Sequence, residues 1–192
     1  MAQNDDISNA TPITVSRISQ STTDATSAAG EDTRVGPEGA PSGKTVWFSY
    51  TAQQNGPVTL GTRGSDYDTT LQVFALTNPA ASASYGNLTE VASNDDGQFG
   101  GDPNNLDFFK AGLTFQAVAG RTYYVQAGGR QDDVGGIESG NLVLDVSPVV
   151  CFTTGTLIRT ARGEVAVEDL RVGDLAVTAS GLLRPITWIG NR

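Results

Sequence analysis

The only cysteine of the chain, Cys151, stands where the character of the sequence changes. It follows Ser147-Pro148-Val149-Val150 and opens the stretch Cys151-Phe152-Thr153-Thr154-Gly155-Thr156. A thiol at the first residue of a domain can attack the preceding carbonyl, here that of Val150, and convert the peptide bond into a thioester. That acyl shift also needs a proton donor for the leaving nitrogen and a stabiliser for the oxyanion. The alternative is a small buried apolar residue at the start of a strand, which is the commoner role of a lone cysteine.

A second group of residues that could do chemistry is acidic and lies at strand ends. The segments Thr69 to Leu76 and Leu88 to Ser93 both predict strands, and an antiparallel pairing of Leu76 with Leu88 places Asp68 opposite Asp96. We therefore expect five side chains to gather at one open end of a sandwich: Asp66, Asp68, Asn94, Asp95 and Asp96. Carboxylates this close repel one another unless a cation or N–H donors neutralise them, and Ca²⁺ binds ligands of this kind. The alternative is that these residues only end strands through local turns.

Other acidic residues give weaker or competing hypotheses. Asn4-Asp5-Asp6 and Asp132-Asp133 are weaker metal candidates, because nothing in the sequence places them beside the cluster. The competing functions for residues 1–150 are a purely structural surface protein and a hydrolase. These residues contain neither His nor Cys. The acid/base mechanism of a hydrolase would need paired carboxylates, and the only plausible set is Asp66, Asp68, Asp95 and Asp96.

Composition and patterning predict an all-β protein. The chain has 23 glycines, 8 prolines and only 17% charged residues, which is typical of short strands joined by many turns. Alternating β-forming residues predict strands that include Thr45 to Thr51 and Thr122 to Ala127, and no segment has a convincing helical period. Asn55-Gly56 predicts a hairpin turn before a returning strand at Val58 to Gly61. The expected fold is an antiparallel, jelly-roll-like β-sandwich followed by four short strands after Pro148.

Charge supports a domain boundary near Cys151. Residues 1–150 carry 17 acidic and 7 basic side chains, whereas residues 151–192 carry 4 acidic and 5 basic ones. We expect one domain over residues 4–147 and a second over residues 151–192. The net charge of −9 argues against nucleic acid or an anionic membrane as the main partner.

The sequence gives little on location by itself. No apolar run approaches the length of a membrane span, and no Sec-type signal follows Met1. The chain is therefore cytosolic, exported by another route, or missing its true N-terminus. A single cysteine allows no internal disulfide, so cysteine pairing does not indicate the redox compartment.

Five blocks in the N-terminal part resemble the bacterial pre-peptidase C-terminal domain family. They are Asn4-Asp5-Asp6, Val46 to Tyr50, Ser65 to Thr69, Ser93 to Asp96 and Ala119 to Val125, and together they extend over nearly all of residues 4–146. The resemblance implies a secreted β-sandwich appended to exported enzymes or surface proteins. Some members bind calcium, and others bind polymers such as polysaccharide or collagen. We therefore expect an extracellular or cell-surface binding module, with Ca²⁺ as a cofactor and an extracellular polymer as a partner.

Aromatic residues give one candidate for ligand contact. Trp47, Phe48, Tyr50, Tyr123 and Tyr124 are expected mostly in the core, because alternating strands turn some of them inward. Tyr67, which lies in the acidic loop, is the aromatic residue expected to be exposed and to bind a ligand.

The C-terminal segment closely resembles the start of bacterial Hint (hedgehog/intein) domains. The match runs through Cys151 to Thr160, Gly163 to Leu175 and Arg184 to Gly190. The resemblance implies that Cys151 is the self-cleaving nucleophile, that Val150–Cys151 is the cleavage junction, and that Glu168 to Asp174 is a structural turn. The family's catalytic histidine belongs to a later block, and this chain has no histidine. We therefore expect an incomplete Hint domain whose self-cleavage is slow or absent, with activity only in an intact parent protein.

Overall fold

Two units make up the chain, Met1–Val149 and Val150–Arg192. The computed structural model describes residues 2–36, 39–97, 109–148, 155–178, 181–187 and 189. The strands of the first unit are β1 Thr11–Pro12, β2 Arg17–Ser21, β3 Arg34–Val35, β4 Ala40–Thr51, β5 Gly56–Gly61, β6 Thr69–Leu76, β7 Leu88–Asn94, β8 Gly112–Ala117, β9 Thr122–Arg130 and β10 Asn141–Pro148. Those of the second unit are β11 Leu157–Thr160, β12 Gly163–Ala166, β13 Leu175–Val177 and β14 Leu183–Pro185.

Helical structure in the described residues is limited to single 3₁₀ turns. They include Ile7–Asn9, Tyr85–Asn87 and Val167–Asp169, and Phe109 also has 3₁₀ conformation. Within the described ranges, no helix has the length and apolar character that crossing a membrane requires.

The first unit is a sandwich of two sheets. One sheet has the order β1-β4-β9-β6-β7, with β3 also paired to β4, and the other has the order β2-β10-β5-β8. The described strand pairs are antiparallel except that of β1 with β4, which is parallel. The predicted antiparallel β-sandwich is confirmed, and the two-residue strand β1 is the one parallel addition among the described pairs.

The main core lies between the two sheets. It includes Val46, Phe48, Leu71, Val73 and Val125 from the first sheet, with Val58, Leu60, Phe115, Leu142 and Leu144 from the second. A second, smaller cluster covers the opposite face of the first sheet, where Trp47 packs with Ile7 and Phe74. Trp47 and Phe48 are therefore both 0% exposed although they point to opposite faces of β4. This central sheet is buried on both sides, so its strands lack simple alternation of apolar and polar residues.

The hairpin of β6 and β7 has the predicted register at its closed end. Leu76 pairs with Leu88, as expected from the sequence. An irregularity between Val73 and Phe74 then shifts the pairing by one residue, so that Leu71 pairs with Asn94. The acidic end of the hairpin is consequently displaced by one residue from the predicted pairing of Asp68 with Asp96.

The predicted hairpin at Asn55-Gly56 is wrong. β4 and β5 flank this turn, but β4 pairs with β9 in the first sheet while β5 pairs with β8 and β10 in the second. The chain crosses from one layer of the sandwich to the other at this point. Asn55 Oδ1 accepts a hydrogen bond from Ala119 N at 2.8 Å, so the turn side chain makes a tertiary contact in place of a local one.

The second unit forms one small sheet of order β12-β11-β13-β14. Its four strands confirm the four that were predicted after Pro148. Among its described residues only Thr160 is buried. Large apolar side chains are instead exposed in this unit, namely Leu157, Val172, Leu175, Leu182 and Leu183. A single sheet of this size has no second layer within the described residues to bury them.

Candidate functional site

The open end of the sandwich brings three of the predicted carboxylates around one guanidinium. Asp68 directly precedes β6, Asp95 and Asp96 directly follow β7, and Arg130 is the last residue of β9. Arg130 Nη1 lies 3.7 Å from Asp68 Oδ2, and Arg130 Nε lies 3.6 Å from Asp95 Oδ2. β9 pairs with β6, and β6 pairs with β7, so the ends of all three strands meet here.

Burial and mutual repulsion make this group electrostatically unusual. Burial, followed by repulsion from the Asp96 carboxylate, raises the pKa of Asp68 to about 6, although Arg130 opposes this rise. The pKa of Asp96 is also raised, first by burial and then by the charge of Asp95. Asp68 Oδ1 and Asp96 Oδ1 are buried and have no hydrogen-bond partner. Two carboxylate oxygens therefore remain available to a cation or another donor.

The other two predicted ligands bond elsewhere. Asp66 is exposed, and its Oδ1 accepts a hydrogen bond from Asn141 N at 2.8 Å. Asn94 Nδ2 donates to Gly112 O at 2.8 Å. The five side chains thus do not form one group. Within the residues that the structure describes, no set of three or more His, Cys, Asp or Glu side chains is arranged to hold a metal ion.

Two residues of this end were not found from the sequence. Glu138 Oε2 accepts a hydrogen bond from Asp68 N at 2.7 Å, and Lys110 Nζ donates to Tyr67 O at 2.7 Å. Lys110 is only 8% exposed, which is rare for a lysine. Both residues are distant from Asp68 along the chain, and only the packing of the loops brings them here.

Tyr67 is not the exposed aromatic residue that was predicted. It is 6% exposed and belongs to the core between the sheets. Burial raises the pKa of its hydroxyl to about 12. The aromatic ring therefore faces inward, whereas the carboxylate of Asp68 lies at the open end beside Arg130, so nothing in the structure supports ligand binding by Tyr67.

A shallow groove elsewhere on the sandwich exposes a different tyrosine. It has a volume of about 320 Å³ and is lined by Ile13, Val15, Tyr50, Gln53 and Gln54, together with Thr14, Ser16 and Val146. Tyr50 is partly exposed, and Gln53 and Gln54 are exposed on the turn that follows β4. An aromatic ring beside amide groups can combine an apolar contact with hydrogen bonds to a polar ligand.

The N-terminal acidic block holds the chain against the sandwich and lies apart from the carboxylate group. Asn4 Nδ2 donates to Trp47 O at 2.8 Å, and Asp5 accepts from the backbone and hydroxyl of Thr26, both at 2.6 Å. Asp6 caps the first 3₁₀ turn by accepting from Ser8 N at 2.8 Å. These bonds account for all three side chains of Asn4-Asp5-Asp6.

The predicted nucleophile and junction, Cys151 and Val150, lie outside the described residues. The described part of the second unit begins at Gly155, whose N–H lies 3.0 Å and 2.9 Å from the two carboxylate oxygens of Glu168. Farther along, Asp174 Oδ2 accepts from Arg162 Nη2 at 2.6 Å and from Arg171 N at 2.9 Å. Glu168 and Asp174 thus stabilise the turns of the predicted structural segment.

Solved structures resemble this chain at low identity. The pre-peptidase C-terminal domain of a collagenase from Bacillus anthracis is 13% identical, with a TM-score of 0.38 over 72% of this chain and 94% of that one. CorA, a surface-associated copper-binding protein of Methylomicrobium album BG8, is 12% identical, with a TM-score of 0.43 over 72% and 96%. The K3 cleaved adhesin domain of Lys-gingipain from Porphyromonas gingivalis W83 is 14% identical, with a TM-score of 0.34 over 70% and 90%. At these values the likeness carries no conclusion about function.

Sequence comparison is informative for the second unit. No curated protein is significantly similar to the chain. A family model described as the Hint domain matches residues 150–192, and the match begins at the residue before Cys151. Residues 150–192 are therefore similar to the Hint domain, which confirms the resemblance predicted for this part of the chain.

Proposed function

We propose that this protein is an extracellular β-sandwich binding module joined to a Hint segment in which Cys151 is the nucleophile of self-cleavage. The proposal depends on one observation, which is that three features fall at the same place along the chain. The Hint match starts at residue 150, the division between the two units falls between Val149 and Val150, and the only cysteine follows at once. Cys151 is the second residue of the matched segment, so the carbonyl next to its thiol along the chain is that of Val150, at the boundary with the sandwich.

The proposed reaction is an N-to-S acyl shift. The Sγ of Cys151 bonds to the carbonyl carbon of Val150 while the bond from that carbon to the Cys151 nitrogen breaks. The thiol proton ends on the new α-amino group, and the product is a thioester. Water or another nucleophile then cleaves the thioester and releases the sandwich. Because no histidine is present to protonate the leaving nitrogen, we expect this step to be slow in the chain of 192 residues.

Intact mass spectrometry tests the junction. The protein is incubated with hydroxylamine, which captures a thioester, alongside a Cys151→Ala variant. We expect slow release of residues 151–192 from the wild type and none from the variant. Hydroxylamine also attacks Asn-Gly bonds such as Asn55-Gly56, but the mass of that fragment is different. Equal cleavage at Val150–Cys151 in both proteins, or none in either, would contradict the nucleophile. Rapid loss of the segment would contradict the expected slowness.

The binding role of the sandwich rests on the Tyr50 groove and on the resemblance of the N-terminal motifs. We propose a polymeric ligand with polar and apolar faces, such as a polysaccharide. Glycan and matrix-protein arrays are probed with the wild type, with Tyr50→Ala, and with Phe109→Ala as a control. Phe109 is 47% exposed and does not line the groove. Binding that Tyr50→Ala loses and Phe109→Ala keeps supports the groove. Binding that Tyr50→Ala retains in full contradicts it.

A second candidate function is Ca²⁺ binding by Asp68 and Asp96, and the observation in its favour is their unpartnered buried oxygens. Arg130 already supplies positive charge to this group, so we expect weak binding, with Kd on the order of 10⁻⁴ to 10⁻³ M as in other extracellular modules. Bound Ca²⁺ would neutralise the repulsion between the carboxylates. A carboxylate hydrolase is not proposed, because Asp68 and Asp95 are paired with the same guanidinium.

Thermal melting with and without millimolar Ca²⁺ tests this candidate. We expect a rise in Tm for the wild type, no rise for Asp68→Asn, and an unchanged rise for Asp66→Asn, because Asp66 bonds to Asn141 outside the group. The comparison uses the Ca²⁺-induced shift of each protein, so it is independent of any effect of the substitution on basal stability. A wild-type Tm that Ca²⁺ leaves unchanged, or a rise that Asp68→Asn retains, would remove the metal proposal.

A further inference from the structure

The two ends of the sandwich differ in charge. The segments that follow β2, β5, β7 and β9 start from the open end, and their described carboxylates are Asp24, Glu31, Asp32, Asp66, Asp68, Asp95, Asp96, Asp132, Asp133 and Glu138. The segments that follow β1, β4, β6 and β8 start from the opposite end, which we call the far end; they are residues 13–16, 52–55, 77–87 and 118–121. These four segments contain no Asp or Glu, and Arg121 is their only charged residue.

The shallow groove of the sandwich belongs to the far end, and one of its walls is the segment 13–16. This segment crosses from the first sheet to the second and is held on both sides. Ile13 N donates to Ser49 O at 2.9 Å, and Val146 N donates to Ser16 O at 2.8 Å. The wall is therefore fixed before a ligand arrives, which lowers the entropic cost of binding.

The other side of the groove is formed by Tyr50 and by the turn after β4, which includes Gln53 and Gln54. Ala52 N donates to Arg121 O at 3.0 Å, so this turn is joined to the loop after β8. The two glutamine amides offer both donors and acceptors. Burial raises the pKa of the Tyr50 hydroxyl above its ordinary value of 10.0, so this group stays protonated at neutral pH. The groove thus presents uncharged polar groups beside apolar ones.

The groove is also electrically neutral in its surroundings. None of its lining residues is charged at neutral pH, and the adjoining residues Arg17 and Asp145 form an ion pair with each other, at 3.1 Å. The Arg121 guanidinium lies 5.7 Å from the centroid of the Tyr123 ring and does not line the groove. The strands β6 and β9 have 8 and 9 residues, so the open end is roughly 25–30 Å away. Its field is screened at that distance, because the Debye length is about 8 Å at physiological salt.

We propose that the groove selects an uncharged polysaccharide. This inference deepens the proposed function and rests on it, because it takes the groove to be the ligand site. Sugar hydroxyls both donate and accept hydrogen bonds, as the amides of Gln53 and Gln54 and the hydroxyls of Thr14 and Ser16 do. The ring of Tyr50 offers an apolar surface to the C–H face of a sugar. The volume of about 320 Å³ is near the lower limit for ligand sites, so the groove accommodates a short stretch of the polymer.

Other classes of ligand fit this groove less well. A polyanion would lose hydration there without a cation to pair with its charges. A polycation would be attracted to the carboxylates of the open end instead. A stable protein complex uses about 20–30 residues from each partner, which is more than the eight residues that line the groove.

Affinity electrophoresis of the full chain tests the selection. The neutral probes are a β-glucan, a galactomannan and an unsubstituted xylan, and the anionic probes are polygalacturonate and heparin. We expect at least one neutral polysaccharide and neither anionic one to retard the wild type. Calorimetry should give a Kd for the neutral polymer that changes by less than about 2-fold between about 0.05 and 0.5 M NaCl. Tyr50→Ala should lose this binding and Phe109→Ala should keep it.

A pair of opposite charges at one position gives a second readout. Gln54 is exposed, so Gln54→Lys and Gln54→Glu both keep the fold while they remove the amide and add a charge. For an uncharged ligand we expect the affinity to fall by about 2- to 10-fold in both variants, which corresponds to the loss of one hydrogen bond. For a charged ligand the two variants would change the affinity in opposite directions, which would overturn the proposal.

The outcomes separate this inference from the proposed function. Retardation by an anionic polysaccharide that Tyr50→Ala loses would leave the groove as the ligand site and overturn the selection of an uncharged ligand. Binding of a neutral polysaccharide that Tyr50→Ala retains in full would show that the groove is not the site. If no polysaccharide retards the wild type, or if only a protein binds at the groove, the selection of an uncharged polysaccharide is wrong.

Discussion

The indole Nε1 of Trp47 donates a 2.7 Å hydrogen bond to Oε1 of Glu31, and this bond joins a loop to the outer face of the first sheet. The other carboxylate oxygen of Glu31 accepts from Thr45 Oγ1 at 2.8 Å and from Ala28 N at 2.9 Å. Trp47 is 0% exposed, so its N–H has no access to water in place of Glu31. Glu31 therefore has a structural role that its position in a polar loop does not reveal.

Loss of the Glu31 carboxylate should destabilise the sandwich. We expect Glu31→Ala to lower the free energy of unfolding by about 1–3 kcal/mol, because it leaves the buried indole N–H unpaired. Glu31→Gln should cost less, since its amide oxygen can still accept. Urea unfolding, monitored by far-UV circular dichroism, measures the stability of both variants. The control is Asp24→Ala, at an exposed position of the same loop. Equal midpoints for Glu31→Ala and Asp24→Ala would contradict the role of this bond.

The same residue predicts a pH dependence of stability. Burial raises the pKa of Glu31 above its ordinary value of 4.5 even though four hydrogen bonds lower it. The folded protein therefore binds this proton more readily than the unfolded chain, and the ionised carboxylate stabilises the fold less than the protonated acid does. We expect the free energy of unfolding of the wild type, relative to Glu31→Gln, to increase as pH falls from about 7 to about 4. If this difference in the free energy of unfolding decreases as the pH falls, folding lowers the pKa of Glu31 and the prediction is wrong.

Gly129 on β9 should tolerate no side chain. A Cβ at this position would overlap the backbone carbonyl of Glu138. The backbone fixes the position of the Cβ, and the carbonyl is itself part of the backbone, so neither can rotate away. We expect Gly129→Ala to cost about 3 kcal/mol or more. Gly86→Ala is the control, because nothing lies within 4 Å of a Cβ there. Equal melting temperatures for Gly129→Ala and Gly86→Ala would contradict the close approach between residue 129 and the Glu138 carbonyl.

Asn4 should act as a tether for the N-terminal segment. It is 2% exposed, its Nδ2 donates to Trp47 O at 2.8 Å, and its Oδ1 accepts from Gln20 Nε2 at 2.9 Å. We expect Asn4→Ala to lower the free energy of unfolding by about 1–3 kcal/mol and to speed amide exchange in residues 4–12. Asn9→Ala, at an exposed position, should change neither quantity. Unchanged exchange in Asn4→Ala would refute the tether.

The second unit should not fold cooperatively by itself. Of its described residues only Thr160 is buried, and five large apolar side chains are exposed. We expect a peptide of residues 150–192 to show no cooperative melting transition and to bind a fluorescent probe of apolar surface, because it cannot bury enough apolar area to offset chain entropy. Residues 1–149 should melt cooperatively under the same conditions. A sharp transition in the isolated peptide would contradict this expectation.

The sequence predicted local features well where they depend on local chemistry. The bounds of β6 and the pairing of Leu76 with Leu88 follow from alternating β-formers between turn residues, and the structure confirms both. The four strands of the second unit also follow from this pattern. The hairpin at Asn55-Gly56 failed because a turn signal does not specify whether the next strand stays in the same sheet.

The candidate site was predicted only in outline. Asp68 and Asp96 were expected to interact, and their charges do interact at the open end. The side chain of Asp66, two residues earlier, bonds to Asn141 instead, and Lys110 and Glu138 enter the group from distant loops. Tyr67 was predicted to be exposed because its neighbours are acidic, but its ring completes the core between the sheets.

The sequence by itself determined that the protein is all-β, that its acidic part ends near Cys151, and that residues 150–192 have the motifs of a Hint segment. These conclusions depend on residue type and on spacing along the chain. Only the tertiary structure decided which polar groups meet, as with Trp47 and Glu31 or with Gly155 and Glu168. The reason is that such contacts join residues from separate loops, and their partners are selected by burial and sheet order, which no local pattern encodes.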